Sequence, residues 1–280
     1  MRIGRFDIFP LVDNHFRLDG GMFFGVVPRV MWEKVFAADP RHRVEFAVRV
    51  LLIRDGRHNI LVDTGIGGKL DPKLAERYGV SRPPGLLPAL KAHGLTPEEI
   101  DLVLFTHLHF DHAGGNTWRE DGRLRPTFPR ARHLVQKGEW GQALEPDARS
   151  RAGYFPEDLE PLEEAGLVEL YEGEAELLPG IQTFPTGGHT RHHQCVKITS
   201  EGQTALYLGD IMPTAFQAPP AYTSAIDLYP VEVMEAKAGI LEQACRESWL
   251  LIFDHDPFTP FGAVEVREGK TAVEPVPGEP

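Results

Sequence analysis

Cysteine is scarce in this 280-residue sequence, and basic residues are fewer than acidic ones. The two cysteines, Cys195 and Cys245, exclude a disulfide framework, so a cytoplasmic location is expected. The 29 Lys and Arg against 41 Asp and Glu give a formal net charge of −12, with no long basic run. Because an acidic surface repels phosphate backbones and anionic lipids, neither a nucleic acid nor a membrane is an expected partner.

Long apolar stretches are missing as well. Residues 1–11 carry charges at Arg2, Arg5 and Asp7, so they lack the apolar core of a secretory signal. No stretch approaches the roughly 20 apolar residues that span a bilayer. With 42% hydrophobic and 25% charged residues the composition is that of a globular protein. We expect a single domain over 1–280, with the Pro- and Glu-rich residues 268–280 as a peripheral tail.

Apolar patterning predicts strands that alternate with helices. Strands are predicted at 47–53, 58–62, 101–105, 166–171, 181–184, 194–199, 204–209 and 249–253, and helices at 84–94, 96–99 and 231–247. The last helix is predicted to bury Met234, Ala238, Leu241 and Cys245 on one face. Chemically active side chains follow several of these strands directly, which is where α/β folds commonly build their sites.

The segment Thr106–Gly115 places four ligand-type side chains within six residues. They are His107, His109, Asp111 and His112. In an extended stretch the first two point to the same side, and a turn near Phe110 would direct the other two to a second point. Imidazole and carboxylate are natural ligands of zinc and similar cations, so one loop can serve two adjacent ions.

A site for two metals needs further ligands, and three candidates lie downstream. His189 follows two glycines after a predicted strand, Asp210 ends the strand Tyr207–Gly209, and His255 follows 249–253. Asp254 is interpreted as a turn residue, and His192 and His193 as surface or packing residues.

These motifs, taken in order, resemble the metallo-β-lactamase superfamily. The pattern T-H-x-H-x-D-H-x-G-G, the later G-H-T and G-D, the late histidine and the early Asp63-Thr64-Gly65 all match. The resemblance implies an αββα four-layer sandwich, an α/β fold, with residues 1–45 as an extension packing near the site. The metal ligands that it implies are His107, His109 and His189 for one ion, Asp111, His112 and His255 for the other, and Asp210 as the bridge.

The resemblance also implies a mechanism and supporting residues. Two divalent ions would share a bridging hydroxide as nucleophile, with Asp111 and Asp210 as the catalytic carboxylates. Zn²⁺ is the expected metal, with Mn²⁺, Fe²⁺ or Co²⁺ as alternatives. Asp63 would accept a hydrogen bond from a ligand histidine and fix its tautomer. A homodimer is also suggested by the resemblance.

The N-terminal segment contains Phe23-Phe24-Gly25-Val26-Val27-Pro28 and then Trp32-Glu33-Lys34. Within the superfamily, these residues resemble the start of methyl-parathion-hydrolase-like and lactonase-like members. The predicted function is hydrolysis of an apolar small-molecule ester, lactone or phosphotriester. The alternatives are a hydroxyacyl-glutathione thioesterase (glyoxalase II-like), a nucleic-acid-processing enzyme and a non-catalytic metal or redox sensor. Quorum-signal lactonases often carry a Tyr three residues after the bridging Asp, where this chain has Pro213. Expected pocket walls are Phe23, Phe24, Phe110, Tyr222 and Phe258.

Overall fold

Apolar runs separated by tight turns form two sheets in the computed structural model, which describes residues 1–81, 85–267 and 270–278. The strands are β1 (Arg2–Ile3), β2 (Phe6–Asp19), β3 (Arg43–Arg54), β4 (Asn59–Val62), β5 (Leu102–Leu104), β6 (Thr117–Glu120), β7 (Arg123–Pro126), β8 (Arg132–Gln136), β9 (Val168–Tyr171), β10 (Glu176–Leu178), β11 (Ile181–Pro185), β12 (Gln194–Ser200), β13 (Gln203–Tyr207), β14 (Leu250–Ile252), β15 (Phe261–Arg267) and β16 (Lys270–Pro275). The first sheet has the order β1-β2-β3-β4-β5-β8-β9 and the second β10-β11-β12-β13-β14-β15-β16, while β6 and β7 pair with each other.

Helices Leu86–Ala92 and Pro230–Glu247 pack on the outer faces of the first and second sheets, respectively, and eight α-helices in all lie among the described residues. They are α1 (Gly20–Phe24), α2 (Arg29–Trp32), α3 (Pro72–Arg77), α4 (Leu86–Ala92), α5 (Phe110–Ala113), α6 (Lys137–Leu144), α7 (Glu160–Glu164) and α8 (Pro230–Glu247). The short helix predicted at 96–99 is a single 3-10 turn, Pro97–Glu99, and Thr96 and Glu99 form its capping box. No described helix is long and apolar enough to cross a membrane.

Three buried clusters separate the layers. Leu86 and Leu90 of α4 pack on Val50 and Leu61 of the first sheet. The facing sides of the two sheets meet in a second cluster that contains Leu51 and Tyr207 among others. The inner face of α8 packs on the outer side of the second sheet. The order helix, sheet, sheet, helix confirms the predicted αββα sandwich.

The two ends of the chain are more integrated than expected. Residues 1–45 were expected to be an extension, but β2 pairs with β3 from Asp7–Arg54 to Asp19–Arg43 and so lies inside the first sheet. Residues 268–280 were expected to be a peripheral tail, yet β16 is the edge strand of the second sheet and pairs with β15. Residues 268–269 and 279–280 lie outside the described residues.

Helix α8 turns a different face inward from the one predicted. Its buried residues are Val233, Lys237, Ile240, Leu241 and Ala244, whereas Met234 is partly exposed. The buried face includes Lys237, which a search for apolar residues passes over. The predicted face was therefore shifted by one position along the helix. The Lys237 ammonium donates to the carbonyls of Gln217 (2.9 Å) and Tyr222 (2.7 Å), and it also contacts that of Pro219 (3.3 Å). It therefore fastens the connection between β13 and α8 to the helix.

Replacing Lys237 by Met should loosen this connection. The carbonyls of residues 217, 219 and 222 would lose a buried donor, at a cost of about 1–3 kcal/mol for each one left unpaired. Urea denaturation should show lower stability, and hydrogen exchange should rise between residues 217 and 226.

The difference in stability between wild type and the Lys237→Met variant should depend on pH. Burial lowers the pKa of Lys237 from 10.5 to about 8, so between these values the unfolded chain holds a proton that the folded chain releases. Wild-type stability should therefore gain with rising pH in this window, and the gap to the Met variant should widen. A gap that narrows would show that the ammonium is not buried as described.

Candidate metal centre

Ends of parallel strands converge at one edge of the sandwich. Strands β4 and β5 are parallel in the first sheet, and β13 and β14 are parallel in the second. Asp63 follows β4, His107 follows β5, Asp210 follows β13, and Asp254 and His255 follow β14. Because the carboxyl ends of parallel strands lie side by side, residues that are distant in sequence meet here.

The loop after β5 turns sharply so that its side chains serve two points. His109 precedes the short helix α5, which contains Asp111 and His112. The carbonyl of His112 accepts from the backbone N–H of Thr64 (2.7 Å), which holds the loop against the turn after β4. A Cβ at Gly115 would collide with the Thr64 carbonyl, so this close approach requires glycine.

Four side chains, His107, His109, His189 and Asp210, form a first ligand cluster. His107 Nε2 lies 3.0 Å from His109 Nδ1, which lies 3.1 Å from His189 Nε2. Asp210 Oδ2 lies 3.1 Å from His189 Nε2 and 3.8 Å from His107 Nε2. All four atoms fall within 4.8 Å of one another, the spread expected around a single ion.

A second cluster lies on the other side of Asp210. His112 Nε2 and His255 Nε2 are 3.3 Å apart, and Asp210 Oδ1 is 3.5 Å and 3.2 Å from them, respectively. Asp254 joins this group, although the sequence suggested only a turn residue. The Asp111 carboxylate lies at the margin, with Oδ2 3.6 Å from His255 Nε2. The structure thus brings together all seven side chains that the sequence singled out.

Hydrogen bonds on the outer sides of the histidines orient three of the rings. His112 Nδ1 donates to Asp63 Oδ2 (2.9 Å), and His189 Nδ1 donates to Asp227 Oδ1 (2.9 Å). His255 Nδ1 donates to the carbonyl of Ala47 (2.7 Å). With the proton on Nδ1, each ring presents the lone pair of Nε2 to the clusters, as metal binding requires. Asp227 had no expected role, because 38 residues separate it from His189.

Electrostatics keep the bridging carboxylate ionised. Burial opposes ionisation of Asp210, but positive charge on the imidazoles of His189, His112 and His255 outweighs it and holds the pKa of this carboxyl well below its usual range. Bound cations would replace the protons that carry this charge and leave the rings neutral. Burial, together with the neighbouring imidazoles, lowers the pKa of both His107 and His109 well below 6.5, so both rings are neutral. Neutral imidazole and ionised carboxylate are the forms that bind cations.

The arrangement fits a pair of cations better than it fits an empty polar core. Lone pairs of His112 Nε2 and His255 Nε2 face each other, which is repulsive unless a cation or a shared proton lies between them. Asp210 Oδ1 and Asp254 Oδ2 are buried without a hydrogen-bond partner among the described residues. Buried charges of this kind are normally paired or bound to a metal. Three histidines with one carboxylate, and two histidines with carboxylates, are both donor sets that zinc-like ions accept.

Two further buried residues, Glu139 and His193, brace the ligand loops; sequence patterns assigned Glu139 no role and His193 only a surface or packing role. Glu139 accepts from the N–H of Leu108 (3.0 Å) and from the hydroxyls of Tyr154 (2.8 Å) and Thr190 (2.7 Å). It therefore ties the loop of His107 and His109 to the loop of His189. His193 Nε2 accepts from the N–H of Asp210 (3.1 Å). Nothing in the local sequence distinguishes Glu139 from a surface residue in the first turn of a helix.

A cavity of about 300 Å³ opens beside the clusters. Its lining includes His109, Asp111 and Asp210 together with the mostly apolar side chains of Phe16, Leu18, Met22, Tyr78, Phe110, Ala152, Ile226 and Leu228. Of the five expected pocket residues, only Phe110 lies in this wall. Helix α1 points Met22 to the cavity and turns Phe23 and Phe24 into an aromatic core, Tyr222 packs on Phe216, and Phe258 is largely exposed.

Residues 43–255 match the family model described as the metallo-beta-lactamase superfamily. The chain belongs to this superfamily. This agrees with the resemblance that the ligand motifs carry, and the matched range contains every residue of the two clusters.

Several known proteins are similar to this chain over much of its length. N-acyl homoserine lactonase AiiA of Bacillus thuringiensis subsp. kurstaki is 28% identical over 188 residues, which cover 61% of this chain and 66% of that protein. The chain thus matches just under two thirds of this curated relative. The crystal structure of a probable metal-dependent hydrolase from Staphylococcus aureus is 31% identical, with a TM-score of 0.90, covering 98% of this chain and 97% of the other. AidC, a dizinc quorum-quenching lactonase, shares the fold with a TM-score of 0.83 at 19% identity, covering 100% and 97%.

Replacing Asp63 or Asp227 by Asn should weaken the binding of one cation in each variant. An amide in place of Asp63 would present N–H to His112 Nδ1 and so favour the tautomer with a proton on Nε2, where a metal must bind. We expect a ~10–100-fold loss of affinity at the second cluster for Asp63→Asn and at the first for Asp227→Asn. Asn also tolerates the left-handed backbone of residue 63 (φ 63°), so the turn should persist.

The measurement is competition with a fluorescent chelator for each bound ion. Asp71→Asn is a suitable control, because Asp71 caps helix α3 and Asn caps equally well. Unchanged affinities in both variants would mean that the two carboxylates only shape turns.

Proposed function

We propose that this chain is a dinuclear metal-dependent hydrolase that opens lactones with an apolar acyl chain, of the N-acyl homoserine lactone class. The observation that carries the proposal is the pair of ligand clusters sharing Asp210 at the mouth of an apolar cavity. Curated relatives with N-acyl homoserine lactonase activity support the same substrate class. Zinc is the proposed metal for both positions. The homodimer and the cytoplasmic location stay predictions.

The cavity suits a neutral, amphiphilic substrate. Leu18, Met22 and Ile226 offer aliphatic contacts for an acyl chain, and Tyr78 stacks on Phe110 (5.2 Å between ring centroids) to form a flat wall. Burying apolar surface against such walls contributes about 25 cal/mol per Å². The lactone ring would lie at the polar end, beside Asp111 and His109.

Lactone opening adds water across the ring ester bond. Two bound divalent cations would supply an activated water near neutral pH and polarise the lactone carbonyl. Asp210 would help to hold both cations, because its two oxygens face different clusters. Asp111, whose carboxylate borders both the second cluster and the cavity, can accept the proton of the attacking water. It can then return that proton to the ring oxygen as the C–O bond breaks, so the product is a hydroxy acid.

Anionic substrates fit this cavity poorly. Arg149 is the sole Lys or Arg among the described residues that line it, and its Nη2 already donates to the carbonyls of Ala225 (2.8 Å) and Asp227 (3.1 Å). Glutathione thioesters and β-lactams carry carboxylates that need free cationic partners. We therefore expect kcat/KM to be highest for lactones, lower for aryl esters and phosphotriesters, and lowest for glutathione thioesters and β-lactams.

The proposal is tested by kcat/KM on metal-loaded enzyme. The panel contains N-hexanoyl- and N-decanoyl-homoserine lactone, an aryl acetate, paraoxon, S-lactoylglutathione and a cephalosporin. The acyl homoserine lactones should lead by at least a decade. A lead for S-lactoylglutathione would replace the proposal with the thioesterase alternative.

A variant of the cavity wall tests where the acyl chain lies. Ile226→Asn puts an amide against the chain, so kcat/KM should fall about tenfold for the decanoyl lactone and less for the hexanoyl one, since tenfold corresponds to about 1.4 kcal/mol of lost contact. Val231→Asn, an exposed position at the start of α8, is the matched control. Equal losses for both chain lengths would place the acyl chain elsewhere.

A further inference from the structure

Asp254 lies against the second ligand cluster with one oxygen uncommitted. It is fully buried, and Oδ1 accepts from the N–H of His255 (3.1 Å). Oδ2 lies 4.0 Å from His112 Nε2 and 3.7 Å from His255 Nε2, and no described residue donates a hydrogen bond to it. A buried carboxylate oxygen directed at two imidazole nitrogens needs a cation or a proton as its counterpart.

The nearest fixed cation does not fill this need. Arg49 is also buried, and its Nη1 donates to the backbone carbonyl of Asp256, while its N–H donates to the carbonyl of Asp254. No described hydrogen bond joins the guanidinium to the Asp254 carboxylate. The free oxygen therefore belongs to the cluster and not to an ion pair behind it.

The geometry around the free oxygen is that of a ligand. Four atoms, one each from His112, His255, Asp210 and Asp254, all lie within 4.8 Å of one another. The two imidazole nitrogens are 3.3 Å apart, and each lies 3.2–4.0 Å from the two carboxylate oxygens. Ligands held tetrahedrally at bonds of about 2.1 Å are about 3.4 Å apart, so one ion fits between these atoms. Asp111, at 3.6 Å from His255 Nε2, can complete a fifth position.

We propose that Asp254 is an additional carboxylate ligand of the second cation. This position then has two imidazoles and up to three carboxylates, whereas the first has three imidazoles and one carboxylate. Because carboxylate oxygen is the harder ligand, the second position should accept Mn²⁺ relative to Zn²⁺ more readily than the first. The inference rests on the cation pair of the proposed function and is independent of the substrate.

The test measures ion binding in full-length protein stripped of metal and then titrated. Zn²⁺ and Mn²⁺ affinities at both positions are determined by chelator competition for wild type, Asp254→Asn and Asp254→Ala. We expect the first affinity to stay within a few-fold of wild type and the second to fall by more than ~100-fold, beyond the ~10–100-fold typical of a carboxylate that only supports a ligand. The Mn²⁺ preference of the second position should fall about tenfold, and Co²⁺-loaded protein should show a changed visible absorption.

Asp256→Asn is the matched control on the same loop. The Asp256 carboxylate is buried too, but it accepts from the N–H groups of Ala215, Phe258 and Thr259 and does not join either cluster. This variant should lose thermal stability and keep both affinities. Metal-free Asp254→Asn, in contrast, should have an unchanged or higher melting temperature, because the substitution removes a charge that faces Asp210.

The outcomes separate this inference from the proposed function. If Asp254→Asn binds both ions as wild type does, Asp254 is not a ligand, whatever the wild type hydrolyses. A metal-free Asp254→Asn that melts lower than wild type, with unchanged affinities, would make the residue a structural one. Loss of the second ion alone would support the inference even if lactones are not turned over.

Discussion

The position of one carboxylate controls the rest of this site. Asp210 lies where β13 ends, beyond Gly209 with its positive φ, and its two oxygens face different groups of imidazoles. Around it are four histidines whose lone pairs point inward, an arrangement that is unfavourable unless positive charge lies between them. The surrounding contacts hold these groups close together.

Those contacts come from both halves of the sandwich. The first sheet supplies Asp63 and the loop that begins at His107, and the second supplies Asp210 and His255. Hydrogen bonds cross the gap, as when Gln194 N donates to the carbonyl of Thr106 (3.0 Å). Because each ligand loop is held from behind, the ring orientations are set before any ion arrives, which reduces the entropy lost on binding. The Lys237 ammonium holds the connection from which Ile226 and Asp227 reach the site.

Local patterns made much of this architecture predictable. The ligands from His107 to His112 are close in sequence, so their spacing alone indicates a metal-binding loop. The other ligands, His189, Asp210 and His255, were identified because each follows an apolar run that predicts a strand. Contacts set by tertiary packing could not be predicted in this way. Asp227 accepts a hydrogen bond from the ligand His189, 38 residues away in the chain, and Glu139 accepts one from the backbone of Leu108 in the ligand loop, 31 residues away. Phe23 and Phe24 were wrongly predicted as pocket walls, because hydrophobicity does not distinguish a pocket wall from a core. The buried face of α8 was wrongly predicted because it contains Lys237, and lysine is rarely buried.

Anomalous diffraction from crystals of metal-loaded protein tests the sharing of Asp210 most directly. Data collected on both sides of the metal absorption edge locate each ion independently of the protein coordinates. The account predicts two peaks about 3.5–4 Å apart, one among His107, His109 and His189 and one between His112 and His255, with an Asp210 oxygen bound to each. A single peak at full metal loading, or two peaks with Asp210 bound to neither, would contradict it.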